Sequence, residues 1–407
     1  MKTRFILLIA VLLAGSCWTA SAQKFENLAP TPPMGWNSWN KFGCNVNEKM
    51  LRETADMLVE SGMRDAGYTY LVIDDCWHGE RDEMGFIHEN PDLFPSGMKA
   101  LADYIHARGL KFGIYSSAGS LTCAGKPAGR GHEYQDALVY ASWDVDYLKY
   151  DWCYTEGLKA EGAYMTMRDA LYAAGRPIVF SLCEWGSNEP WLWGKKMGHL
   201  WRTTGDIGVQ FDGYEVFPTW RKLGVLKIID IQENLRQYAG PDGWNDPDML
   251  EVGNGMTVAE DRAHFTLWCL MAAPLMAGND LRTMTAETRA ILMNKEAIAI
   301  DQDSLGIQGF KHAEDGGVHT WLKPLANGKW AVCFLNRGSH DVTLHVDWKS
   351  FNVTDDLSKL TLQTQTTTYA IRDIWKHADL GTTHNQPNTT LTLPGHDVFC
   401  VVLTPIK

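Results

Sequence analysis

The segment VDYLKYDWC, residues 145–153, has the pattern of a short buried strand that ends in charge. Lys149 and Asp151 are two residues apart, so in a strand their side chains point to the same side. An ammonium beside a carboxylate is costly to desolvate unless the two groups are paired or put to use. Two interpretations therefore stay open for this segment: a structural ion pair at a strand end, or a catalytic nucleophile, Asp151, held beside a cation.

The same pattern recurs on both sides of this segment, between residues 33 and 305. Short apolar runs end in polar or aromatic residues, and amphipathic helical patterns separate them. The eight predicted strands are Met34–Trp39, Thr69–Trp77, Leu110–Ser117, Val145–Cys153, Pro177–Trp185, Leu200–Ile207, Gly243–Leu250 and Ala273–Leu281. Near-continuous apolar runs are typical of parallel strands that are covered on both faces. Eight strand–helix units favour an α/β fold with a closed (β/α)8 barrel over an open doubly wound sheet.

Two of the helical segments carry capping signals. Thr257 and Glu260 form a capping box, which predicts a helix that begins there and runs through Cys269. Ser96 is the predicted N-cap of a helix that contains Leu101 and Ile105.

The pattern changes after Gly306, where helical periodicity ends and short alternating segments follow. These predicted strands are Val318–Leu322, Lys329–Leu335, Val342–Val346, Thr361–Thr368 and Val398–Leu403. The Asn327-Gly328 pair predicts a hairpin turn between the first two. We therefore predict a barrel over residues 23–308 and an antiparallel β-sandwich over residues 309–407. The second part has no evident site, and we interpret it as a packing module, with sugar binding as the alternative.

The first 22 residues have the features of a targeting segment. Lys2 and Arg4 precede an apolar run, and Ala20-Ser21-Ala22 is a small-residue cleavage site. The run is too short to span a bilayer, and no later segment is apolar enough to be a transmembrane helix. Alanine rather than leucine stands three residues before Cys17, which favours an exported protein, secreted or periplasmic, over a lipid-anchored one.

Composition limits the partners of the chain. The 407 residues carry a net charge of −12 and include 17 tryptophans. An acidic chain is a poor partner for nucleic acid or for an anionic membrane surface, whereas a neutral substrate is compatible with it. The sequence leaves the oligomeric state open.

The predicted strand ends share carboxylates and aromatic rings. In a (β/α)8 barrel the site lies at these ends. They carry Trp36, Trp39, Asp74, Asp75, Trp77, Tyr115, Lys149, Asp151, Cys183, Glu184, Trp185, Arg202, Asp206, Asp246, Asp248 and Asp280. Aromatic faces pack on sugars, carboxylates accept hydrogen bonds from hydroxyls, and two carboxyl groups can flank a glycosidic bond. With no metal-ligand motif and no Gly-rich nucleotide motif, we predict a sugar pocket without metal or cofactor. For Asp246, Asp248 and Asp280, the sequence leaves two roles open: capping of strand ends, or direct contact with the substrate.

Several of these motifs together resemble glycoside hydrolase family 27, the family of α-galactosidases and α-N-acetylgalactosaminidases. They are MGWNSW (34–39), IDDCW (73–77), GIY (113–115), LKYDxC (148–153), CEW (183–185), RTTGDI (202–207) and WNDPDML (244–250). The resemblance implies a retaining glycosidase in which Asp151 is the nucleophile and Asp206 is the acid/base. It also implies sugar contacts from Trp36, Asp74, Asp75, Tyr115, Lys149 and Arg202, and the disulfides Cys44–Cys76 and Cys123–Cys153.

Within this family, the end of the fifth strand is expected to decide the substrate. Members that accept a 2-acetamido group carry small residues there, whereas Cys183, Glu184 and Trp185 look bulky and polar. This implies an oligosaccharide or glycoconjugate with terminal α-linked galactose. An α-N-acetylgalactosaminidase and a β-L-arabinopyranosidase on the same scaffold are the alternatives, and Asp75, in place of glutamate, favours galactose. Trp152 departs from the family pattern, and we expect it to narrow the pocket rim or to offer a stacking surface.

Two functions of other classes stay open. A lysine on a barrel strand, Lys149, can form a Schiff base in an aldolase, although its neighbouring carboxylate favours the charged ammonium. A sugar-binding protein without turnover would need the same pocket. The presence of both Asp151 and Asp206 argues against it.

Overall fold

The barrel predicted from the sequence is confirmed by a computed structural model, which describes residues 24–406. Eight parallel strands form one curved sheet, in the order seventh, sixth, fifth, fourth, third, second, first, eighth. They are Met34–Asn37, Tyr70–Val72, Lys111–Ser117, Tyr147–Asp151, Val179–Cys183, Leu200–Arg202, Trp244–Asp246 and Leu275–Ala277. A parallel bridge from Leu250, just after the seventh strand, to Ala277 joins the two ends of the sheet. The predicted targeting segment, residues 1–22, lies outside the described residues.

All eight predicted strands are present, but most end earlier than predicted. The second strand stops at Val72, five residues before its predicted end. Beyond it, the carboxylates of Asp74 and Asp75 accept hydrogen bonds from the backbone, and Cys76 has a φ of 78°. A ladder cannot continue through a left-handed residue. The apolar pattern thus continues past the point where backbone geometry ends the strand.

The fourth strand shows how alternation sorts the side chains. Tyr147 packs inside the barrel, and Leu148 and Tyr150 pack in the layer between strands and helices. The side chains inside the barrel are Tyr70, Tyr147, Val72, Val179, Leu200, Trp244 and Met276. Because side chains alternate along a strand, Lys149 and Asp151 share the inner face with Tyr147. Both side chains therefore point into the carboxyl end of the barrel.

Helices surround the strands. The α-helices are Trp39–Phe42, Glu48–Glu60, Met63–Ala66, Met98–His106, Glu133–Ser142, Ala160–Ala174, Val225–Gln232, Val258–Met271, Ala286–Leu292 and Lys295–Asp301. The predicted capping box at Thr257 is confirmed. The predicted N-cap at Ser96 is wrong: the helix begins at Met98 with Gly97 as its N-cap, and the Ser96 amide donates to Glu48. Within residues 24–406, no helix combines the length and apolar composition needed to cross a membrane.

The barrel also carries short turns and hairpins outside the eight-stranded sheet. The 3-10 turns are Pro190–Leu192, Gly194–Lys196, Glu233–Tyr238 and Leu281–Thr283. One antiparallel hairpin pairs His78–Arg81 with Ile87–Glu89. A second pairs Tyr214–Val216 with Arg221–Leu223, in the connection that follows the sixth barrel strand.

The C-terminal part is antiparallel, as predicted. A six-stranded sheet contains, in spatial order, Phe310–Asp315, Val318–Pro324, Trp330–Asn336, Val398–Pro405, Tyr369–Asp373 and Ala378–Thr382. Two further pairs join Val342–Asp347 to Asn388–Leu393 and Asn352–Thr354 to Thr361–Gln363. The predicted hairpin turn is confirmed, since Asn327 and Gly328 have φ values of 61° and 70° between two paired strands.

The helix Val258–Met271 lies between the barrel and the C-terminal sheet. Every residue from Ala263 to Met271 is buried, so the helix is covered all round rather than on one face. Residues of the C-terminal sheet, among them Trp321 and Cys400, belong to the same apolar cluster as this helix. The boundary at residues 308/309 stays a prediction, but the packing across it is continuous.

Charged contacts also cross this interface. Arg236 pairs with Asp355, whose side chain is fully buried, and with Asp356, whose side chain is 75% exposed. Arg236 also donates to the Gln308 carbonyl at 3.2 Å. Because the Asp355 side chain is fully buried, water cannot replace Arg236 as its partner if this contact is lost.

We expect Arg236→Ala to lower the free energy of unfolding by about 3–5 kcal/mol, because it leaves the Asp355 carboxylate buried without a cation, with the Ser358 amide as its remaining donor. The matched control, Asp356→Ala, removes an exposed partner of the same arginine and should cost less than about 1 kcal/mol. Urea or thermal denaturation measures both. Equal losses in the two variants would contradict a buried ion pair at this position.

Candidate active site

A cavity opens at the carboxyl ends of the barrel strands. Its lining contains Trp39, Asn40, Asp74, Asp75, Tyr115, Cys123, Lys149, Asp151, Trp185, Arg202, Asp206, Ile207, Lys222, Asp248 and Met249. The strand ends therefore bring Asp151 and Asp206 to one cavity, together with most of the polar residues predicted to bind a sugar.

Asp151 ends the fourth strand with a hydrogen bond to each carboxylate oxygen. The Tyr115 hydroxyl donates to Oδ2 at 2.9 Å, and the Trp152 amide donates to Oδ1 at 2.8 Å. The residue is only 5% exposed. Burial raises the pKa of Asp151 to about 6, the charge of Lys149 opposes this rise, and the carboxylate of Asp206 adds to it. At neutral pH the group is therefore an ionised carboxylate that is more basic than an ordinary aspartate.

Lys149 makes its direct ion pair with Asp74 rather than with Asp151. Its Nζ lies 2.8 Å from Asp74 Oδ2. Of the two interpretations left open by the sequence, the ion pair names the wrong partner, because Asp74, two residues after the end of the second strand, lies closer to the Lys149 ammonium than Asp151 does. Burial alone would lower the pKa of Lys149, but the charges of Asp74 and Asp151 raise it well above its usual value. Lys149 is therefore a fixed cation.

The two consecutive aspartates after the second strand are held by several donors. Asp74 accepts from Asn37 Nδ2 at 2.8 Å as well as from Lys149. Asp75 accepts from the backbone amides of Cys76 and Ala124 at 2.7 and 2.8 Å. Both aspartates are 1% exposed, and burial raises the pKa of Asp75. Their orientation is fixed before any ligand binds.

Two disulfides connect the loops around these aspartates. The structure contains Cys44–Cys76 and Cys123–Cys153, the pairings that the family resemblance implied. Cys153 follows Asp151 by two residues, and Cys123 precedes Ala124, the amide donor to Asp75. The second disulfide thus ties the loop that holds Asp75 to the loop that follows Asp151.

Asp206 lines the same cavity as Asp151 but is more exposed to water. Its side chain is 35% exposed, and its Oδ1 lies 3.1 Å from Arg202 Nη2. The same nitrogen lies 2.9 Å from Asp248 Oδ2, which also accepts from the Ile207 amide at 2.9 Å. Asp248 therefore positions both Arg202 and the backbone just after Asp206, and it also lines the cavity itself.

Two of the residues predicted to bind the sugar, Trp36 and Glu184, lie outside the cavity lining, as does Cys183, which is described below. Trp36 is fully buried, and its Nε1 donates to the Asn279 carbonyl at 2.8 Å. Glu184 turns away from the cavity, and its Oε2 accepts from the amide and the side chain of Asn188, each at 2.6 Å. Burial raises the pKa of Glu184 to about 7. In this structure both residues support the cavity walls from behind.

Three further strand-end residues take structural positions. Cys183 is a buried free thiol, 3.7 Å from Arg202 Nη1, and burial raises the pKa of that thiol well above its usual value. Asp246 lies below the cavity and accepts from the Asp248 amide at 2.9 Å. Asp280 caps the turn that follows it and pairs with Arg282 at 2.9 Å. Cys183 therefore stays protonated, and Asp280 is a cap.

Trp152 does not narrow the cavity. Its ring stacks on Tyr164, with centroids 5.7 Å apart and planes inclined by 21°. The indole is half-buried against the helix Ala160–Ala174, so one face of the ring is taken up by packing, and a stacking surface for the substrate on Trp152 stays a prediction.

Sequence reasoning missed Lys222, which lines the cavity from outside the barrel strands. It lies on the hairpin Tyr214–Val216/Arg221–Leu223. The segment YEVFPTWRKL, residues 214–223, has aromatic and β-branched residues on both sides of a Pro-Thr pair, which is a signal for a hairpin.

One cluster in residues 24–406 has the spacing of metal ligands. It contains Cys123, Asp151 and Cys153. Both of its sulfur atoms are joined in a disulfide, and a thioether-like disulfide sulfur is a poor ligand compared with a thiolate.

Comparisons with known proteins place the chain among sugar hydrolases. The sequence profile described as alpha galactosidase A matches residues 31–303, and that of the alpha galactosidase C-terminal beta sandwich domain matches residues 315–403. Alpha-galactosidase A of Cellvibrio japonicus is 56% identical over 386 residues, which cover 95% of each chain.

Solved structures agree over nearly the whole chain. Alpha-galactosidase I from Mortierella vinacea superposes with a TM-score of 0.84 at 37% identity, covering 93% of this chain and 98% of that one. The alpha-galactosidase from Saccharomyces cerevisiae, solved with raffinose, superposes with a TM-score of 0.87 at 30% identity, covering 94% and 100%.

The raised pKa of Asp151 has a consequence for stability. The folded protein holds the Asp151 proton more tightly than the unfolded chain does, so ionisation destabilises the fold as the pH rises from about 4 through about 6. Asp151→Asn removes this penalty. We expect the stability difference between the variant and the parent protein to be about 2 kcal/mol more favourable at pH 7.5 than at pH 4.5.

Denaturation at the two pH values measures this difference, and the hydrogen bonds changed by the amide cancel in the comparison. Asp92→Asn, at an exposed carboxylate, is the control and should show no such pH dependence. A pH-independent effect of Asp151→Asn would contradict a desolvated carboxylate.

Proposed function

Because the chain belongs to glycoside hydrolase family 27 and is a glycosidase, we propose that it is an exported, retaining α-galactosidase. Its substrate would be terminal α-linked D-galactose on oligosaccharides or glycoconjugates. The observation that carries this proposal is the pair Asp151 and Asp206 on one cavity, one buried and doubly hydrogen-bonded, the other partly exposed beside Arg202. The names of the relatives and the leader-like residues 1–22 support the substrate and the export.

In the first chemical step, the Asp151 carboxylate attacks the anomeric carbon of galactose. The glycosidic bond breaks, Asp206 gives its proton to the departing oxygen, and a galactosyl ester forms on Asp151. In the second step, Asp206 takes a proton from a water molecule, which attacks the same carbon. The ester bond to Asp151 breaks, and two inversions give net retention.

The surroundings of Asp151 fit the role of a nucleophile. The hydroxyl of Tyr115 and the amide of Trp152 hold both oxygens, so the attacking carboxylate is oriented before substrate binds. A pKa of about 6 keeps the group ionised at neutral pH yet more nucleophilic than a solvated aspartate. The exposure of Asp206 suits a residue that must admit the water molecule from which it takes a proton in the second step.

The floor of the cavity fits a galactose ring. Asp74, Asp75 and Lys149 present fixed acceptors and a fixed donor to hydroxyl groups. At the other side, Trp185 lines the cavity above the buried Cys183, which supports a site too small for a 2-acetamido group. Trp39, rather than the buried Trp36, offers an aromatic wall to the sugar.

The aldolase alternative has little support. A Schiff base needs a neutral amine, whereas the ion pair with Asp74 keeps Lys149 protonated. A sugar-binding role without turnover would not require Asp151 to be more basic than a solvated carboxylate.

A substrate panel tests the activity. We expect nitrophenyl α-D-galactoside to be hydrolysed with a kcat/KM at least about tenfold above that for nitrophenyl α-N-acetylgalactosaminide or nitrophenyl β-L-arabinopyranoside. Proton NMR of early product should show α-galactose before mutarotation. A preference for either competing sugar would contradict the proposed substrate. β-Galactose as the first product would contradict the retaining mechanism.

Two variants separate the roles of the carboxyl groups. Asp151→Asn should lower kcat by at least about 1,000-fold on every α-galactoside, because no ester can form. Asp206→Asn should lower kcat/KM by about 100- to 10,000-fold on a galactosyl disaccharide, but much less on nitrophenyl galactoside, whose leaving group needs little protonation. Asp92→Asn is the control and should stay within about twofold of the parent enzyme. Equal losses of Asp206→Asn on both substrates would contradict its role as acid.

A further inference from the structure

Two aromatic rings lie at the tip of the hairpin Tyr214–Val216/Arg221–Leu223. Phe217 and Trp220 stack with centroids 4.3 Å apart and planes inclined by 7°, and Trp220 is 48% exposed. The Phe217 amide donates to the Trp220 carbonyl at 2.9 Å, so the two residues continue the cross-strand register of the hairpin. An aromatic pair with one ring half in water leaves an apolar face uncovered.

Strand alternation decides which face carries the stack. Glu215 pairs with Lys222 in the hairpin, and Phe217 pairs with Trp220 two positions further out. Residues two apart share a face, so the stack lies on the same face as Lys222, about 7 Å further along the strand. Lys222 itself lines the cavity. The stack therefore extends the wall of the cavity outward into solvent.

The hairpin is also joined to the segment that carries Asp206. The Leu223 amide donates to the Asp206 carbonyl at 2.8 Å, and Leu223 forms a bridge with Ile207. Asp206 is the proposed proton donor to the departing oxygen, so the leaving group must lie on its side of the cavity. A chain of sugars attached to that oxygen would leave the cavity along the Lys222 face of the hairpin.

We propose that the Phe217–Trp220 stack binds sugar residues on the leaving-group side, so that the enzyme acts best on galactose attached to a saccharide chain rather than on small galactosides. This inference rests on the proposed α-galactosidase activity. The apolar faces of pyranose rings can pack on the exposed ring of Trp220. A saccharide chain is neutral, so its binding there needs no charged partner. A stack that only stabilised the hairpin would use the contact between the two rings and would be indifferent to the length of the substrate.

The test compares substrates of different length on the same variants. The probes are nitrophenyl α-D-galactoside, the disaccharide melibiose and a β-manno-oligosaccharide with α-1,6-galactosyl branches. Trp220→Ala should lower the ratio of kcat/KM for the branched oligosaccharide to that for nitrophenyl galactoside by roughly three- to tenfold, mostly through KM. Trp220→Phe, which keeps an aromatic face, should restore most of this ratio.

Val216→Ala is the matched control, because Val216 is 77% exposed on the same hairpin but on the opposite face. It should leave the ratio unchanged. If this ratio of kcat/KM values were the same in Trp220→Ala as in the parent enzyme, or fell equally in Val216→Ala, the proposed sugar binding by the Phe217–Trp220 stack would be wrong. The α-galactosidase activity would not be affected by that result. Absence of turnover of all three probes by the parent enzyme would instead overturn the proposed function.

Discussion

The Lys149–Asp74 ion pair is the interaction on which the site depends. It places a permanent positive charge in the barrel without letting that charge contact Asp151 directly. Asp151 is left with neutral donors from Tyr115 and the Trp152 amide, so burial prevails over the attraction to Lys149 and raises the pKa of the carboxyl. Had Lys149 bound Asp151 itself, the negative charge of the Asp151 carboxylate would have been partly neutralised. Asp74, just after the second strand, therefore influences the pKa of Asp151 at the end of the fourth strand.

The backbone around the cavity is held in uncommon conformations. Cys76, Trp185 and Asp248, each just after a barrel strand, have φ values of 78°, 59° and 88°. Such conformations are costly for residues with a side chain, and they persist where surrounding contacts determine them. A disulfide fixes Cys76, and after Trp185 a Cβ on Gly186 would lie 2.3 Å from the Thr203 carbonyl oxygen. Of these three residues, Trp185 and Asp248 line the cavity, whereas the side chain of Cys76 is bonded to Cys44.

Much of the architecture could be predicted because it is encoded locally. Eight apolar runs, the capping box at Thr257 and the Asn327-Gly328 turn depend on near neighbours in the chain, and the structure contains all of them. Most of the predicted cavity residues also follow, since barrel topology brings strand ends together. The partner of Lys149 and the stacking of Trp152 on Tyr164 could not be predicted, because several groups compete for each and only distance across the fold selects among them.

The helix Val258–Met271 has no face toward water over most of its length, since the barrel covers one side and the C-terminal sheet the other. Its Trp268 donates to the Asp248 carbonyl at 2.8 Å, so the same helix also reaches the support of Arg202. The β region therefore acts as the outer wall of the last barrel unit. If the barrel were joined to another accessory module, that module would have to supply an apolar surface of the same shape to cover this helix. The barrel is in that sense not portable by itself.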